Sequence, residues 1–121
     1  MLLTGLFIVN MHNRKELKHI TQIYSMELRD FQALMKELYF HRDSQRGIER
    51  TFMWITEELG ELGRAIRKQN NSEMREEMAD VLAWLFSLGN ILDIDIETAV
   101  SSKYDSVCPR CHRIPCECPF Q

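Results

Sequence analysis

Apolar residues recur at three- and four-residue intervals from Ser25 onward, which is the pattern of helices that bury one face. The first helix is predicted to end near His41, because "HRDSQRG" then brings turn-forming residues and a glycine. The second is predicted to run from about Ile48 to Lys68, where "QNNS" ends it. The predicted buried stripes are Leu28, Phe31, Leu34, Met35, Leu38 and Tyr39 in the first helix, and Ile55, Leu59, Leu62 and Ile66 in the second.

The same spacing predicts two further helices. Ser72 is a candidate N-cap for the third, which extends to about Leu92, and acids in its first turn suit the positive end of the helix dipole. Asp95 is the candidate cap of the fourth, "IETAVSSKYDSV", which leads into a cysteine-rich tail. With no competing strand pattern or repeat, the predicted fold class is an all-α four-helix bundle. The third helix is expected to bury Met78, Val81, Leu82, Leu85, Leu88 and Leu92.

The chain divides into three segments by pattern. Residues 1–25 are predicted to be a peripheral N-terminal segment, residues 26–105 the helical domain, and residues 106–121 the cysteine-rich tail. The opening "MLLTGLFIV" lacks a basic leader, and its length is about half of the roughly 20 apolar residues that a membrane span needs. We therefore expect neither a signal peptide nor a membrane anchor.

Composition narrows the class of protein. A chain of 121 residues with 45% hydrophobic and 27% charged residues is expected to form one globular domain. Its net charge of −3 argues against a nucleic-acid partner, which usually meets a basic face. The four cysteines all lie between residues 108 and 118, a pattern that indicates metal binding in a reducing cytoplasm more than a disulfide framework.

Two pairs of acids border the apolar stripes of consecutive helices. Glu58 and Glu61 share one side of the second helix, and Glu77 and Asp80 share one side of the third. If the short "QNNS" connection makes these helices antiparallel, the four carboxylates converge. Such a cluster is costly without a cation, because like charges repel and burial disfavours ionised groups. The alternative is a solvated acidic face.

Every converging ligand is an oxygen, which favours Mg²⁺ or Mn²⁺. A di-iron bundle would need two Glu-x-x-His motifs, and the sequence offers only Glu16 with His19 in the peripheral segment. The neighbouring acids Glu57, Glu73 and Glu76 are also compatible with ordinary solvated surface.

These residues resemble a known family. "EELGELGRAI" followed by "EEMADVLAWLFSLGNILDIDIETAVSSKY" is similar to the EExxE and ExxD signature of the MazG-like nucleotide pyrophosphohydrolases, in the all-α NTP pyrophosphatase superfamily. The resemblance implies hydrolysis of a nucleoside triphosphate to the monophosphate and pyrophosphate. It also implies a homodimer or dimer of dimers that completes the bundle, and Mg²⁺ bound by Glu58, Glu61, Glu77 and Asp80, with Glu57 at the remaining acidic position.

The remaining site residues are less specific. Glu61 or Glu57 is the candidate base that takes a proton from water, and the sequence does not choose between them. Lys103 matches a lysine of the family's last helix, although the asparagine that often follows it is absent from "YDSVCP". Further candidates are Arg46, Arg64 and Lys68 for phosphate contacts, and Trp54 and Trp84 for base stacking, with surface charge and core packing as the respective alternatives.

The tail "CPRCHRIPCEC" predicts a structural zinc knuckle that takes no part in hydrolysis. The candidate ligands are Cys108, Cys111, Cys116 and Cys118, with His112 as a substitute for one thiolate. A flexible reduced tail and disulfides formed on oxidation remain alternatives. For the whole chain, the rival to a hydrolase is a non-enzymatic helical interaction module whose zinc-binding tail is its binding element.

Overall fold

A computed structural model describes residues 26–120 of the chain. It contains helices and no strand among these residues, which confirms the all-α fold class. The predicted peripheral segment 1–25, and with it the Glu16 and His19 pair, lies outside the described residues. The four helices are α1 (Leu28–Arg46), α2 (Ile48–Lys68), α3 (Asn71–Ile91) and α4 (Ile96–Lys103).

The first helix is longer than predicted, because α1 continues to Arg46 and does not end near His41. The Ser44 hydroxyl donates a hydrogen bond to a backbone carbonyl one turn earlier, at 2.7 Å. Asp43 is buried, and its Oδ1 forms an ion pair with Arg46 Nη1 at 2.7 Å. The polar run therefore finds partners inside the helix. Gly47 ends α1 at a φ of 86°, a conformation that costs glycine little, and α2 starts at the next residue.

The connection between α2 and α3 is only two residues long. α2 runs over Ile48–Lys68 as predicted, and Gln69 ends it in a left-handed conformation. Asn70, and not Ser72, caps α3, because the Asn70 side chain accepts the N–H of Glu73 at 3.2 Å. So short a turn makes α2 and α3 antiparallel neighbours, as the sequence predicted.

The fourth helix begins as predicted and ends early. Asp95 accepts the N–H of Thr98 at 2.9 Å, which confirms it as the N-cap. α4 ends at Lys103, so the predicted continuation to Val107 is wrong, and residues from Tyr104 onward are not helical.

α3 is the central helix of the bundle, with α2 and α1 packed on it. Phe31 of α1 meets the fully buried Phe86 of α3 edge to face, with ring centroids 5.1 Å apart. Gln32 ties α4 to α1: its side chain donates to Ile94 O at 2.7 Å and accepts from Ile96 N at 2.9 Å. This frame holds α2 and α3 side by side, and the site lies on those two helices.

The predicted buried stripes are only partly buried in the single chain. Met35 and Ile55 are in the core as predicted. Six other members of the predicted stripes are between 40% and 55% exposed, because none of the helices described above covers them: Leu59, Ile66, Met78, Leu82, Leu85 and Leu92. Leu38 and Tyr39 of α1 are exposed as well. Within residues 26–120, the prediction that these side chains are buried is wrong.

Candidate functional site

Three of the predicted carboxylates converge between α2 and α3. Glu58 comes from α2, and Glu77 and Asp80 come from successive turns of α3. One carboxylate oxygen of each lies within 4.8 Å of the others. We call these three residues the acidic group. Their meeting follows from the antiparallel pairing, which places the middle of α2 against the first half of α3.

The acidic group is electrostatically unfavourable without a cation. Partial burial, followed by the negative charges of Glu58, Asp80 and Glu61, raises the pKa of Glu77 above its usual 4.5. The direction of this shift shows that the site disfavours a further negative charge. A divalent cation would remove that cost, and three carboxylate oxygens are hard ligands that suit Mg²⁺ or Mn²⁺.

Two tryptophans adjoin the acidic group. The indole N–H of Trp84 donates to Glu58 Oε1 at 3.2 Å. Trp54 stacks on Trp84 with ring centroids 5.6 Å apart and planes 9° from parallel. The Arg46 guanidinium also lies over the Trp84 ring, 4.7 Å from its centroid. Both neighbours restrict the access of a base to the Trp84 ring, whereas Trp54 is 44% exposed.

A pocket of about 270 Å³ connects α1 to the acidic group. Its lining includes Asp80 and Trp84 of α3 and Asp43 and Arg46 of α1. Asp43 holds Arg46 through Oδ1, while its buried Oδ2 has no hydrogen-bond partner. The sequence reasoning missed Asp43, since its segment was assigned to a turn. The signal was its position four and eight residues after Tyr39 and Met35 on one helical stripe.

Other predicted residues lie outside the acidic group. Glu61 pairs with Arg64 Nη1 at 3.2 Å and is half-exposed, although its charge is close enough to raise the pKa of Glu77. Lys68 forms an exposed ion pair with Glu73 at 3.8 Å, which fits the alternative that it is ordinary surface charge. Glu57 is exposed on α2.

The predicted phosphate lysine belongs to a helix that carries no member of the acidic group. Lys103 is in the last turn of α4, the helix that packs on α1, and its Nζ lies 5.7 Å from the Tyr104 ring centroid. The structure therefore leaves its predicted phosphate contact as a prediction.

The family model of the MazG nucleotide pyrophosphohydrolase domain matches residues 46–112, which is more than half of the chain. The chain belongs to the MazG family. The match contains the whole of α2, α3 and α4, and so includes every residue of the acidic group. None of the curated proteins matches the chain. The all-helical fold agrees with the family, and the predicted resemblance is confirmed.

The MazG domain match ends inside the cysteine-rich tail, which holds a second cluster. The sulfur atoms of Cys108, Cys111, Cys116 and Cys118 all lie within 4.8 Å of one another, and we call these residues the thiol group. Hydrogen bonds from backbone N–H groups lower the pKa of Cys108 to about 6, and neighbouring thiols raise the pKa of Cys118 to about 12. His112 is not part of the cluster.

Among the helices of residues 26–120, none has both the length and the apolar character that a membrane span requires.

Proposed function

We propose that this MazG-family chain is a Mg²⁺-dependent nucleoside triphosphate pyrophosphohydrolase that forms the monophosphate and pyrophosphate. The observation that supports this most is the convergence of Glu58, Glu77 and Asp80 within 4.8 Å, beside a pocket of about 270 Å³. The MazG domain match supports the same reaction class.

The acidic group is the proposed metal site, and Glu61 lies beside it. Bound Mg²⁺ or Mn²⁺ would supply the positive charge that draws in a triphosphate and polarises the phosphoryl group under attack. The protein's own contribution is to hold the three carboxylates at fixed positions on two helices. The indole N–H of Trp84 orients Glu58 by occupying one of its oxygens.

Glu61 is the acid we propose as general base, with Glu57 as the alternative. Glu61 is beside the acidic group but outside it, so a lone pair is free to accept a proton from water. Its half-exposed ion pair with Arg64, at 3.2 Å, holds the carboxylate in one orientation.

The proposed nucleotide position is the pocket between α1 and α3. Trp54 has an exposed face on which a base can stack. Arg46, and Lys103 from α4, are the cations proposed to contact phosphates. Arg46 already lines the pocket together with Asp80, so it needs less movement than Lys103 to reach a phosphate there.

We propose a homodimer, which the exposed apolar stripes support. Phe52 and Met53 of α2 are 56% and 62% exposed, and the uncovered leucines of α3 add to this surface. A second copy related by a two-fold axis would cover the same residues on both chains. Light scattering should give twice the chain mass, and Phe52→Glu should give the single-chain mass with the helix content retained. A monomer for the wild type would contradict the dimer.

A reducing compartment, the cytoplasm, is the proposed location, because the four tail thiols are free in this structure and bind metal only while reduced.

The test is a panel of ribo- and deoxyribonucleoside triphosphates, assayed for pyrophosphate with Mg²⁺, with Mn²⁺ and with chelator. We expect metal-dependent pyrophosphate release from at least one of them. No release from any nucleotide, by a protein with the helical circular dichroism of the bundle, would favour the alternative of a non-enzymatic interaction module.

A further inference from the structure

The tail after α4 gathers four sulfur atoms that the proposed hydrolysis does not use. Cys108 and Cys118 sulfurs are 3.9 Å apart, and those of Cys111 and Cys116 are 3.8 Å apart. All four are free thiols, and all four lie within only eleven residues of chain. We propose that the thiol group is a structural Zn²⁺ site with four cysteine ligands.

The sulfur spacing is that of a tetrahedral zinc site. With Zn–S bonds of about 2.3 Å, the edges of the sulfur tetrahedron are about 3.8 Å long. The two measured sulfur separations agree with that edge, and the remaining ones are within 4.8 Å. Contraction of the longer edges by at most about 1 Å would close the site around an ion.

The backbone of the tail supports the sulfur atoms. The N–H groups of Glu117 and Cys118 point at Cys111 Sγ and Cys116 Sγ, each at 3.4 Å. Hydrogen bonds of this kind orient thiolate ligands and offset their charge. They are contacts that a sulfur ligand requires, and a randomly arranged reduced tail would not supply them.

The C-x-x-C half of the site is a closed turn. His112 N–H donates to Cys108 O at 2.9 Å, and Cys108 N–H donates to Arg113 O at 3.2 Å. His112 has a φ of 58°, which reverses the chain after Cys111. Its role is thus conformational, and its imidazole is outside the thiol group.

The ligand set selects the ion. Four thiolates are soft ligands and do not suit Mg²⁺, whereas a closed tetrahedral S₄ set is typical of structural zinc. An eleven-residue segment is too short to bury a core of its own, so the metal supplies the free energy that holds it folded. No open ligand position remains for a substrate, and the site is independent of the proposed hydrolysis.

Metal analysis of protein purified without chelator tests the proposal. We expect about one zinc per chain in the wild type and less than about a tenth of that in Cys108→Ser or Cys111→Ser, because removal of a ligand weakens a site that depends on all of them. His112→Asn is the matched control and should keep the zinc, because asparagine tolerates the left-handed backbone that His112 adopts and lacks the imidazole. Zinc loss in His112→Asn, or zinc retention in both cysteine variants, would overturn the ligand assignment.

A second measurement uses the unaltered protein, so that a misfolded variant cannot decide the question. An organomercurial titrated into the native chain should release the zinc as it consumes four thiols, with a metal-sensitive dye as the readout. Cobalt exchanged into the site should give the intense visible bands of tetrahedral thiolate coordination. A metal-free tail with four freely reactive thiols, two disulfides by intact mass, or iron in place of zinc would each overturn the proposal.

Discussion

The acidic group and the thiol group both gather side chains that could bind a metal ion, but the chain builds the two groups in different ways. The three carboxylates come from two helices, and they meet only because α2 packs on α3. The four thiols come from one short non-helical segment and meet through local turns. A group assembled by tertiary packing has room on one side for a substrate, whereas a local closed set of four suits a structural ion.

Their chemistry differs in the same sense. The carboxylates are hard ligands for an ion that exchanges readily, and the thiolates are soft ligands for one that is held tightly. We therefore expect changes in the two groups to have separate consequences: turnover should follow the acidic group, and the order of the tail should follow the thiol group.

The largest effect is expected from Asp80→Ala. Loss of a carboxylate ligand should lower kcat/KM by about 10³-fold or more, since bound metal contributes several kcal/mol to the transition state. Steady-state pyrophosphate release measures it, with Glu76→Gln as the control because Glu76 is an exposed acid of the same helix. Cys111→Ser should retain turnover. Equal losses in Asp80→Ala and Cys111→Ser would remove the separation between the groups.

Trp84→Phe should have the next largest effect. It removes the hydrogen bond to Glu58 while keeping an aromatic ring, so we expect the Mg²⁺ concentration for half-maximal rate to rise about 10- to 100-fold. Trp54→Phe is the matched control, because the hydrogen bond to Glu58 comes from Trp84. In that variant the KM for nucleotide should change and the Mg²⁺ dependence should not. The same Mg²⁺ shift in both variants would indicate general loosening of the stacked pair.

Zinc extraction should affect only the tail. Backbone amides of His112 and Cys118 should lose hydrogen-exchange protection, because their hydrogen bonds depend on a folded knuckle. Amides of α2 and α3 should keep theirs. Exchange measured by mass spectrometry before and after extraction gives the comparison. Loss of protection throughout α3 would mean that the two groups are coupled.

The smallest expected effect is on thermal stability: Glu77→Gln should stabilise the metal-free protein. The fold raises the pKa of Glu77, so the folded chain binds that proton more tightly than the unfolded chain does. Metal-free protein therefore gains stability as the pH falls through the window just above 4.5. The variant should therefore melt above the wild type at pH 7, and the difference should shrink as the pH approaches 4.5.

The melting curves in chelator are compared with curves in Mg²⁺. Mg²⁺ should raise the Tm of the wild type more than that of Glu77→Gln, since the ion relieves the same repulsion. A variant that melts below the wild type in chelator would show that Glu77 is not under electrostatic strain.

Local signals in the sequence predicted the number and order of the helices within residues 26–120. The predictions of a helix over Ile48–Lys68 and of an N-cap at Asp95 both depend on residues within a few positions of each other. Both are confirmed. The end of α1 was not predictable in this way. Turn-forming residues fill "HRDSQR", but Asp43 is buried and forms an ion pair with Arg46 three residues later. This contact stabilises the helix and overrides the weak helix propensity of the run.

The periodicity of the sequence identified which helix faces are apolar, but it did not identify what covers those faces. Leu82 and Leu85 lie on the predicted stripe of α3 and are each 43% exposed, because burial depends on a neighbour that the pattern does not name. The acidic group was predictable because spacing on each helix and a short turn determine which residues face each other. Glu61 lies outside it because a local ion pair with Arg64 directs its side chain elsewhere.

The most direct test of the account is the identity of the products formed by the acidic group. Phosphorus NMR of a nucleoside triphosphate incubated with the protein and Mg²⁺ should show only the monophosphate and pyrophosphate, and Asp80→Asn should show unreacted triphosphate. Formation of the diphosphate and inorganic phosphate, or unchanged product formation in Asp80→Asn, would contradict the proposed reaction and its site.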